Sequence, residues 1–135
     1  MYFNTSILIR AVNPRERGYR ESVRFINELV DRGFVFVISS AHWRESYRNE
    51  TWRKLRKLFR RFNFVYCGVD ADSIVGVAVL YVRRFGYSDE RIIDVMHLMA
   101  ARRCRCRFIA AVDGFIKAHA GEFGLIYINY YTGIP

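Results

Sequence analysis

Four polar side chains occur where they could serve a common site. Asn4, Glu45 and Asp113 each come soon after a short apolar run typical of a buried strand. Because ligands bind beyond the carboxyl ends of parallel strands, we expect these side chains at one edge of a sheet. Asp94 lies near the start of a predicted helix that leads to the strand at residues 108–112. That helix must end at the edge where this strand begins. Its start, with Asp94, therefore lies at the opposite edge, beside the other three side chains. Three carboxylates and an amide suit Mg²⁺ or Mn²⁺, and without a cation the carboxylates would repel one another.

Each acidic residue also has a purely structural explanation. Asp113 precedes a glycine and could form a plain turn, whereas Glu45 could be a solvated helix residue. Asp94 could interact with the dipole of its own helix. It is the hardest of the three to dismiss, because Ile93 and Val95 flank it on a helix with few other polar groups.

Two histidines accompany these acids at helical spacing. His42 lies three residues before Glu45, and His97 lies three residues after Asp94. Side chains at that spacing share a helix face, so a metal-ligand or general-base role is one interpretation. Packing, or a hydrogen bond that orients a neighbouring acid, is the other.

The elements that must position these residues alternate between strand and helix patterns. Residues 34–38 form a continuous apolar run with β-branched residues, which is typical of a strand covered on both faces. Residues 70–85 favour a helix, with a strand as the alternative because of their β-branched content. The predicted strands cover residues 2–4, 34–38, 63–67, 108–112 and 125–128, and the predicted helices cover residues 7–12, 15–32, 41–62 (as one helix or two), 70–85, 88–104 and 114–120. This order predicts an α/β fold, a three-layer α/β/α sandwich with about five mostly parallel strands, as a single domain over residues 1–135.

Composition favours a polyanionic partner. The formal net charge is +9, and 19 of the 22 basic residues are arginine because only Lys54, Lys57 and Lys117 are lysine. Arginine excess, many aromatic residues and the absence of glutamine are compatible with a thermophile. No apolar stretch approaches the roughly 18 to 20 residues that span a bilayer, and the N-terminus has no basic-then-apolar leader. We therefore expect a soluble, cytoplasmic protein without membrane contact.

The three cysteines do not form a metal-binding pattern. Cys104 and Cys106 make a single C-x-C with no second ligand pair nearby, and Cys67 is distant in sequence. We expect small buried or half-buried thiols, with one disulfide as the alternative in a hot intracellular protein.

A basic helix face is the predicted contact for nucleic acid. Within residues 41–62 the apolar side chains Trp52, Leu55, Phe59 and Phe62 share one stripe, and cations cover the opposite face. A solvated surface is the alternative explanation for these cations. Tyr127, Tyr130 and Tyr131 could complete a dimer surface, stack on bases or finish the core. The predicted RNA-binding residues are Arg53, Arg56, Lys57, Arg60 and Arg61.

Four ordered motifs resemble those of PIN-domain proteins. Residues 2–9 read YFNTSILI, like the family's opening strand, which ends in an acid followed by Thr-Ser. Residues 39–45, SSAHWRE, are similar to its small-residue turn before a helical glutamate. Residues 94–101, DVMHLMAA, resemble its D-x-x-H-L-x-x-A helix, and residues 111–115, AVDGF, its aspartate at a strand end. The resemblance spans nearly the whole chain.

The resemblance implies a metal-dependent endoribonuclease that uses Mg²⁺ or Mn²⁺ to hydrolyse RNA. Such proteins are often the toxin of a toxin–antitoxin pair of the VapBC kind and are frequently homodimeric, so it also implies an antitoxin partner. Carried over by position, Asn4, Glu45, Asp94 and Asp113 are the catalytic and metal-binding residues. Thr5 and Ser6 would support the site through hydroxyl hydrogen bonds.

One position departs from the family pattern, since Asn4 stands where the family has an aspartate. An amide oxygen can contact a metal, but it supplies no negative charge and cannot act as a base. The alternative function is therefore a catalytically weakened PIN domain that binds RNA or a protein partner. A receiver-like or flavodoxin-like domain would instead need paired acids after the first strand, where this chain has Asn4, Thr5 and Ser6.

Overall fold

The computed structural model describes residues 1–134, and its central feature is one five-stranded sheet. All four strand pairings are parallel, and the spatial order is β3-β2-β1-β4-β5. The strands are β1 (Tyr2–Phe3), β2 (Val37–Ser39), β3 (Val65–Cys67), β4 (Phe108–Ala110) and β5 (Ile126–Ile128). The α-helices are α1 (Thr5–Val12), α2 (Tyr19–Asp31), α3 (Asn49–Arg61), α4 (Ala71–Arg84), α5 (Ile92–Arg103) and α6 (Gly114–His119). The predicted α/β class and the parallel sheet are confirmed.

Helices cover both faces of the sheet, because successive strand residues point to opposite sides. Tyr2 packs into a cluster with Ile74 of α4 and Leu98 of α5. Phe3, the next residue, packs into a second cluster that contains Leu8 of α1. The same alternation separates Ile109 from Ala110 in β4. These two buried clusters make the three-layer sandwich that the sequence predicts.

Within residues 70–85 the chain forms a helix, α4, which is the interpretation that the sequence favours over a strand. Ile74, Ala78 and Val82 recur every four residues and are fully buried, so one stripe of α4 faces the sheet. Asp70 caps its start by accepting hydrogen bonds from the backbone N–H groups of Asp72 and Ser73. This cap and stripe outweigh the β-branched content. Among residues 1–134, no helix combines the length and apolar character that crossing a membrane requires.

The predicted helix over residues 41–62 divides in two. A short 3₁₀ turn covers Ser40–Arg44, and α3 begins only at Asn49. The Ser39 hydroxyl accepts from the Ala41 N–H, and the His42 imidazole accepts from the Ser39 N–H. These hydrogen bonds close the turn locally, and the chain leaves helical geometry at Glu45, where ψ is 140°. Glu45 therefore ends a turn rather than lying within a helix.

The strand order creates a switch point between β1 and β4. From β1 the chain adds β2 and β3 on one side, and then β4 and β5 on the other. In open parallel sheets the crevice beyond the carboxyl ends of the strands at such a point is the usual ligand site. Asn4 follows β1, and Asp113 comes shortly after β4.

A disulfide joins the end of β3 to the end of α5. Cys67 and Cys104 are bonded across 37 positions of sequence, and Cys106 is free. The expectation of buried thiols is wrong for two of the three cysteines, because only the fold brings Cys67 and Cys104 together. The alternative that the sequence left open, one disulfide, is correct.

Breaking this disulfide should destabilise the domain. A loop of this size, closed covalently, lowers the entropy of the unfolded chain by the equivalent of about 4 kcal/mol. We expect Cys104→Ser to lower the unfolding free energy by roughly that amount in urea titrations without reductant. Cys106→Ser is the matched control and should change it by less than about 1 kcal/mol. Equal stability of the two variants would contradict this assignment.

Candidate functional site

Asn4 lies at the switch point as a helix cap. Its side chain oxygen accepts a hydrogen bond from the Ser6 N–H at 3.0 Å, and the residue is 3% exposed. Its own N–H donates to the carbonyl of Ala110 at 2.9 Å. The Ser6 hydroxyl accepts from the Val112 N–H at 3.0 Å. Asn4 and Ser6 thus tie the start of α1 to the end of β4.

Asp113 caps the neighbouring helix at the same edge. Its Oδ1 accepts a hydrogen bond from the Ile116 N–H at 2.9 Å, which begins α6. The residue is half-buried and lines a crevice beyond the sheet. The turn that the sequence suggested for Asp113 is therefore a helix cap, and one carboxylate oxygen has no hydrogen bond among residues 1–134.

Asp94 lies in the first turn of α5. Its side chain is 16% exposed and lies 3.3 Å from the Arg91 guanidinium. Burial raises the pKa of Asp94, and the nearby Asp113 carboxylate raises it further. The pairing with Arg91 lowers this pKa but does not cancel the rise. Asp94 and Asp113 are therefore two like charges that repel one another.

Glu45 is held by three donors from within the protein. The Thr5 and Tyr47 hydroxyls and the His97 Nε2 all form hydrogen bonds with its carboxylate. Its side chain is 10% exposed. Burial raises the pKa of Glu45, but the hydrogen bonds from His97, Thr5 and Tyr47 outweigh burial, so this pKa lies below its ordinary value. Glu45 is a buried carboxylate that stays ionised.

A chain of hydrogen bonds behind Glu45 fixes its orientation. His97, 1% exposed, places Nδ1 2.7 Å from the Tyr2 hydroxyl. That hydroxyl lies 2.8 Å from the Ser39 hydroxyl. Burial raises the pKa of Tyr2 well above its ordinary value, so Tyr2 remains a phenol. His97 thus adopts the orienting role, the second of its two interpretations, and it orients Glu45 rather than Asp94.

His42 is buried as a neutral imidazole. Its Nδ1 accepts from the Ser39 N–H at 3.0 Å, so the proton lies on Nε2, which donates to the Phe3 carbonyl at 2.6 Å. Burial lowers the pKa of His42 to about 3, and the adjacent His97 lowers it as well. His42 holds β1 and β2 together and is too enclosed to act as a base.

Acid should destabilise the fold through His42. The unfolded imidazole binds a proton below about pH 6.5, whereas the folded one does not until about pH 3, so stability falls as the pH drops across this window. We expect His42 to account for a loss of roughly 2 kcal/mol in unfolding free energy between pH 7 and pH 5. Urea titrations at both values measure it. His42→Gln should remove this part of the loss and His119→Gln should not; an unchanged loss in His42→Gln would contradict the prediction.

The predicted four-ligand metal site does not fit the donors as they stand. Among residues 1–134, no three or more His, Cys, Asp or Glu side chains are grouped so that they could hold a metal ion. The Asn4 oxygen caps α1, and both oxygens of Glu45 accept internal hydrogen bonds. Asp94 and Asp113 remain. A more open kind of Mg²⁺ site, in which one or two carboxylates are completed by waters and substrate phosphates, would need no more than these two.

The supporting residues are only partly those expected from the sequence. The Thr5 hydroxyl forms a hydrogen bond with Glu45, and the Ser6 hydroxyl accepts one from the backbone after β4; that these contacts support a functional site stays a prediction. Tyr47, Tyr2 and Ser39 were missed. Tyr2 and Phe3 are adjacent in a short strand, so their side chains face opposite sides of the sheet. The one sequence signal for Tyr2 is that a buried tyrosine hydroxyl usually needs a hydrogen-bond partner.

The basic face of α3 does not line the crevice beside Asp113. Its five predicted RNA-binding residues are exposed, and none forms a salt bridge among residues 1–134.

Comparisons of the chain with protein-family models, with curated proteins and with solved structures give no match.

Proposed function

We propose that this chain hydrolyses RNA phosphodiester bonds with Mg²⁺ or Mn²⁺, as the resemblance to PIN-domain proteins implies. The observation that carries the proposal is a pair of half-buried, mutually repelling carboxylates, Asp113 at the β1–β4 switch point and Asp94 in the first turn of α5. Burial is the main cause that raises the pKa of Asp94, and repulsion by the Asp113 carboxylate is the second. A divalent cation would relieve that repulsion. The formal net charge of +9 supports a polyanionic substrate.

The residues divide the work between binding the ion and organising the crevice. Asp94 and Asp113 would hold the cation, which when bound supplies an activated water and stabilises charge on the phosphoryl oxygens. Glu45 would contribute a fixed negative charge. Burial is the main cause that raises the pKa of Tyr47, and Glu45 and Asp94 raise it further. Thr5, His97 and Tyr47 keep that charge in place. The exposed cations of α3 would attract the RNA backbone.

A second candidate is an RNA-binding or partner-binding domain without cleavage. Asn4 favours it, because its amide caps α1 and supplies no charge to the crevice. The toxin role, an antitoxin partner, a homodimer and a cytoplasmic location follow from the resemblance or the composition and stay predictions.

Cleavage of a labelled single-stranded RNA separates the two candidates. We expect the native chain to cut in Mn²⁺ or Mg²⁺ and to stop when a chelator is added. Asn4→Asp, which preserves a helix-capping side chain, is the companion variant. If only Asn4→Asp cuts, the second candidate describes the native chain. If neither cuts under any metal condition while RNA still binds, the hydrolysis proposal fails.

A further inference from the structure

A second set of cations surrounds the crevice beside Asp113. The cavity has a volume of about 450 Å³, within the range of roughly 300–1,000 Å³ that ligand sites occupy. Arg10, Arg17 and Lys117 line it, and Tyr127 and Tyr131 provide aromatic surface. None of the three cations belongs to a salt bridge within residues 1–134. Asp113 is the single acidic residue of the lining, so the crevice has an excess of positive charge.

The crevice is built from parts that fix one another. The Arg10 guanidinium donates to the Tyr130 hydroxyl at 2.6 Å. Gly18 has φ of +84°, and a Cβ there would lie 2.4 Å from that hydroxyl and 3.1 Å from the guanidinium. Only glycine lets the loop that carries Arg17 approach so closely. Arg10 and Arg17 are thereby brought to the same wall.

The lining of the crevice also includes an exposed aromatic ring. Asn129 accepts hydrogen bonds from the N–H groups of Tyr131 at 2.8 Å and Thr132 at 3.1 Å, which orders the turn after β5. Tyr131 is 72% exposed, and its ring centroid is 4.5 Å from that of Tyr130. An ordered, exposed tyrosine beside unpaired cations is the combination that binds unpaired nucleotides, through stacking and phosphate contact together.

Positive charge continues from this crevice toward α3. A second cavity, of about 580 Å³, is lined by Asn13, Pro14 and Arg15 of the same loop and by Arg48, Glu50 and Lys54. Glu50 pairs with Lys54 at 3.7 Å, so Arg15 and Arg48 supply the excess positive charge. The loop between α1 and α2 therefore bears cations toward both cavities, Arg15 toward one and Arg17 toward the other. An extended polyanion could follow it from α3 to Asp113.

We propose that the crevice binds a single-stranded RNA segment, with Arg10, Arg17 and Lys117 on its phosphates and Tyr131 stacked on a base. The inference rests on the proposed function only in naming RNA as the occupant. It places the RNA strand beside Asp113. It assigns RNA binding to the loop between α1 and α2 and to the turn after β5, neither of which belongs to the basic face of α3. A duplex is disfavoured because its bases are already stacked and cannot lie on Tyr131.

Anisotropy of a labelled single-stranded RNA, measured with chelator so that nothing is cut, tests the proposal. We expect the Arg17→Ala, Lys117→Ala double variant to raise Kd about tenfold or more. It should also reduce the slope of log K against log salt by about 1.4, or 0.7 per phosphate contact. Tyr131→Ala should raise Kd about tenfold with the slope unchanged, since stacking releases no counterions. These side chains are exposed, so the variants should fold.

Arg83→Ala, Arg84→Ala on α4 is the matched control, because it removes two exposed cations from elsewhere. Native-like binding by the crevice variants, an equal loss in the α4 control, or equally tight binding of a duplex of the same sequence would each overturn the inference. If RNA is cut but the crevice variants bind normally, the inference fails while hydrolysis stands. If the crevice binds RNA and no metal supports cutting, the inference stands and hydrolysis fails.

Discussion

His97→Ala should lower the unfolding free energy by about 3 to 5 kcal/mol, the cost of leaving a buried charge without its partner. The imidazole is 1% exposed and supplies the only nitrogen among the three groups that hold the Glu45 carboxylate. Its loss also removes one hydrogen-bond partner of the Tyr2 hydroxyl, which keeps Ser39, and leaves a cavity in the buried cluster around Tyr2. Because domains are stable by only about 5–15 kcal/mol, this variant should approach the limit of folding. Urea titration at neutral pH measures the loss.

Glu45→Gln provides the control that separates charge from packing. If the unpaired carboxylate causes the loss, the His97→Ala, Glu45→Gln double variant should recover about 1 kcal/mol or more over His97→Ala alone. A cavity effect would not be relieved by this change, because the amide has nearly the same volume as the carboxylate. A single-variant loss below about 1 kcal/mol would show that Glu45 does not depend on His97.

The Asp94→Asn, Asp113→Asn double variant should lower the rate of metal-dependent RNA cleavage by at least about a hundredfold. A hundredfold loss corresponds to about 2.7 kcal/mol of transition-state stabilisation, which is modest for removing both charged ligands of a cation. Asparagine keeps the helix cap of Asp113 and the shape of Asp94, so the fold should survive. Initial rates on labelled single-stranded RNA give the measurement.

The control for this variant removes the same charge elsewhere. Glu28 and Asp31 are exposed on α2, and neither forms a salt bridge among residues 1–134. Glu28→Gln, Asp31→Asn should therefore cleave at close to the native rate. Cleavage that survives in the Asp94 and Asp113 variant would move the chemistry away from the switch point.

The element order was predictable because hydrophobic period and capping agree along most of the chain. The stripe of Ile74, Ala78 and Val82 and the cap at Asp70 both point to α4. Boundaries were less predictable where side chains compete with the backbone. The apolar run at 34–38 contributes only its last two residues to β2. The capping hydrogen bonds of Ser39 and His42 begin the 3₁₀ turn directly after this strand, so β2 starts and ends later than the apolar run.

The site was predictable as a location but not as a set of contacts. Strand ends and one helix start bring Asn4, Asp94 and Asp113 to one edge, which follows from parallel topology alone. Whether a carboxylate is free or satisfied depends on neighbours distant in sequence. Glu45 meets His97 across 52 positions, and no local pattern signals that pairing. The cations of the Asp113 crevice were missed for the same reason, since Arg10 and Lys117 come from different helices.

Thermal unfolding with and without Mn²⁺ tests the central claim, that Asp94 and Asp113 hold a divalent cation. Mn²⁺ at a hundredfold excess over its Kd should stabilise the native chain by about 2.7 kcal/mol, or roughly 8–10 °C for a domain of this size. The Asp94→Asn, Asp113→Asn variant should lose this stabilisation, and Glu28→Gln, Asp31→Asn should keep it. A native chain whose Tm does not respond to Mn²⁺ or Mg²⁺ would contradict the claim.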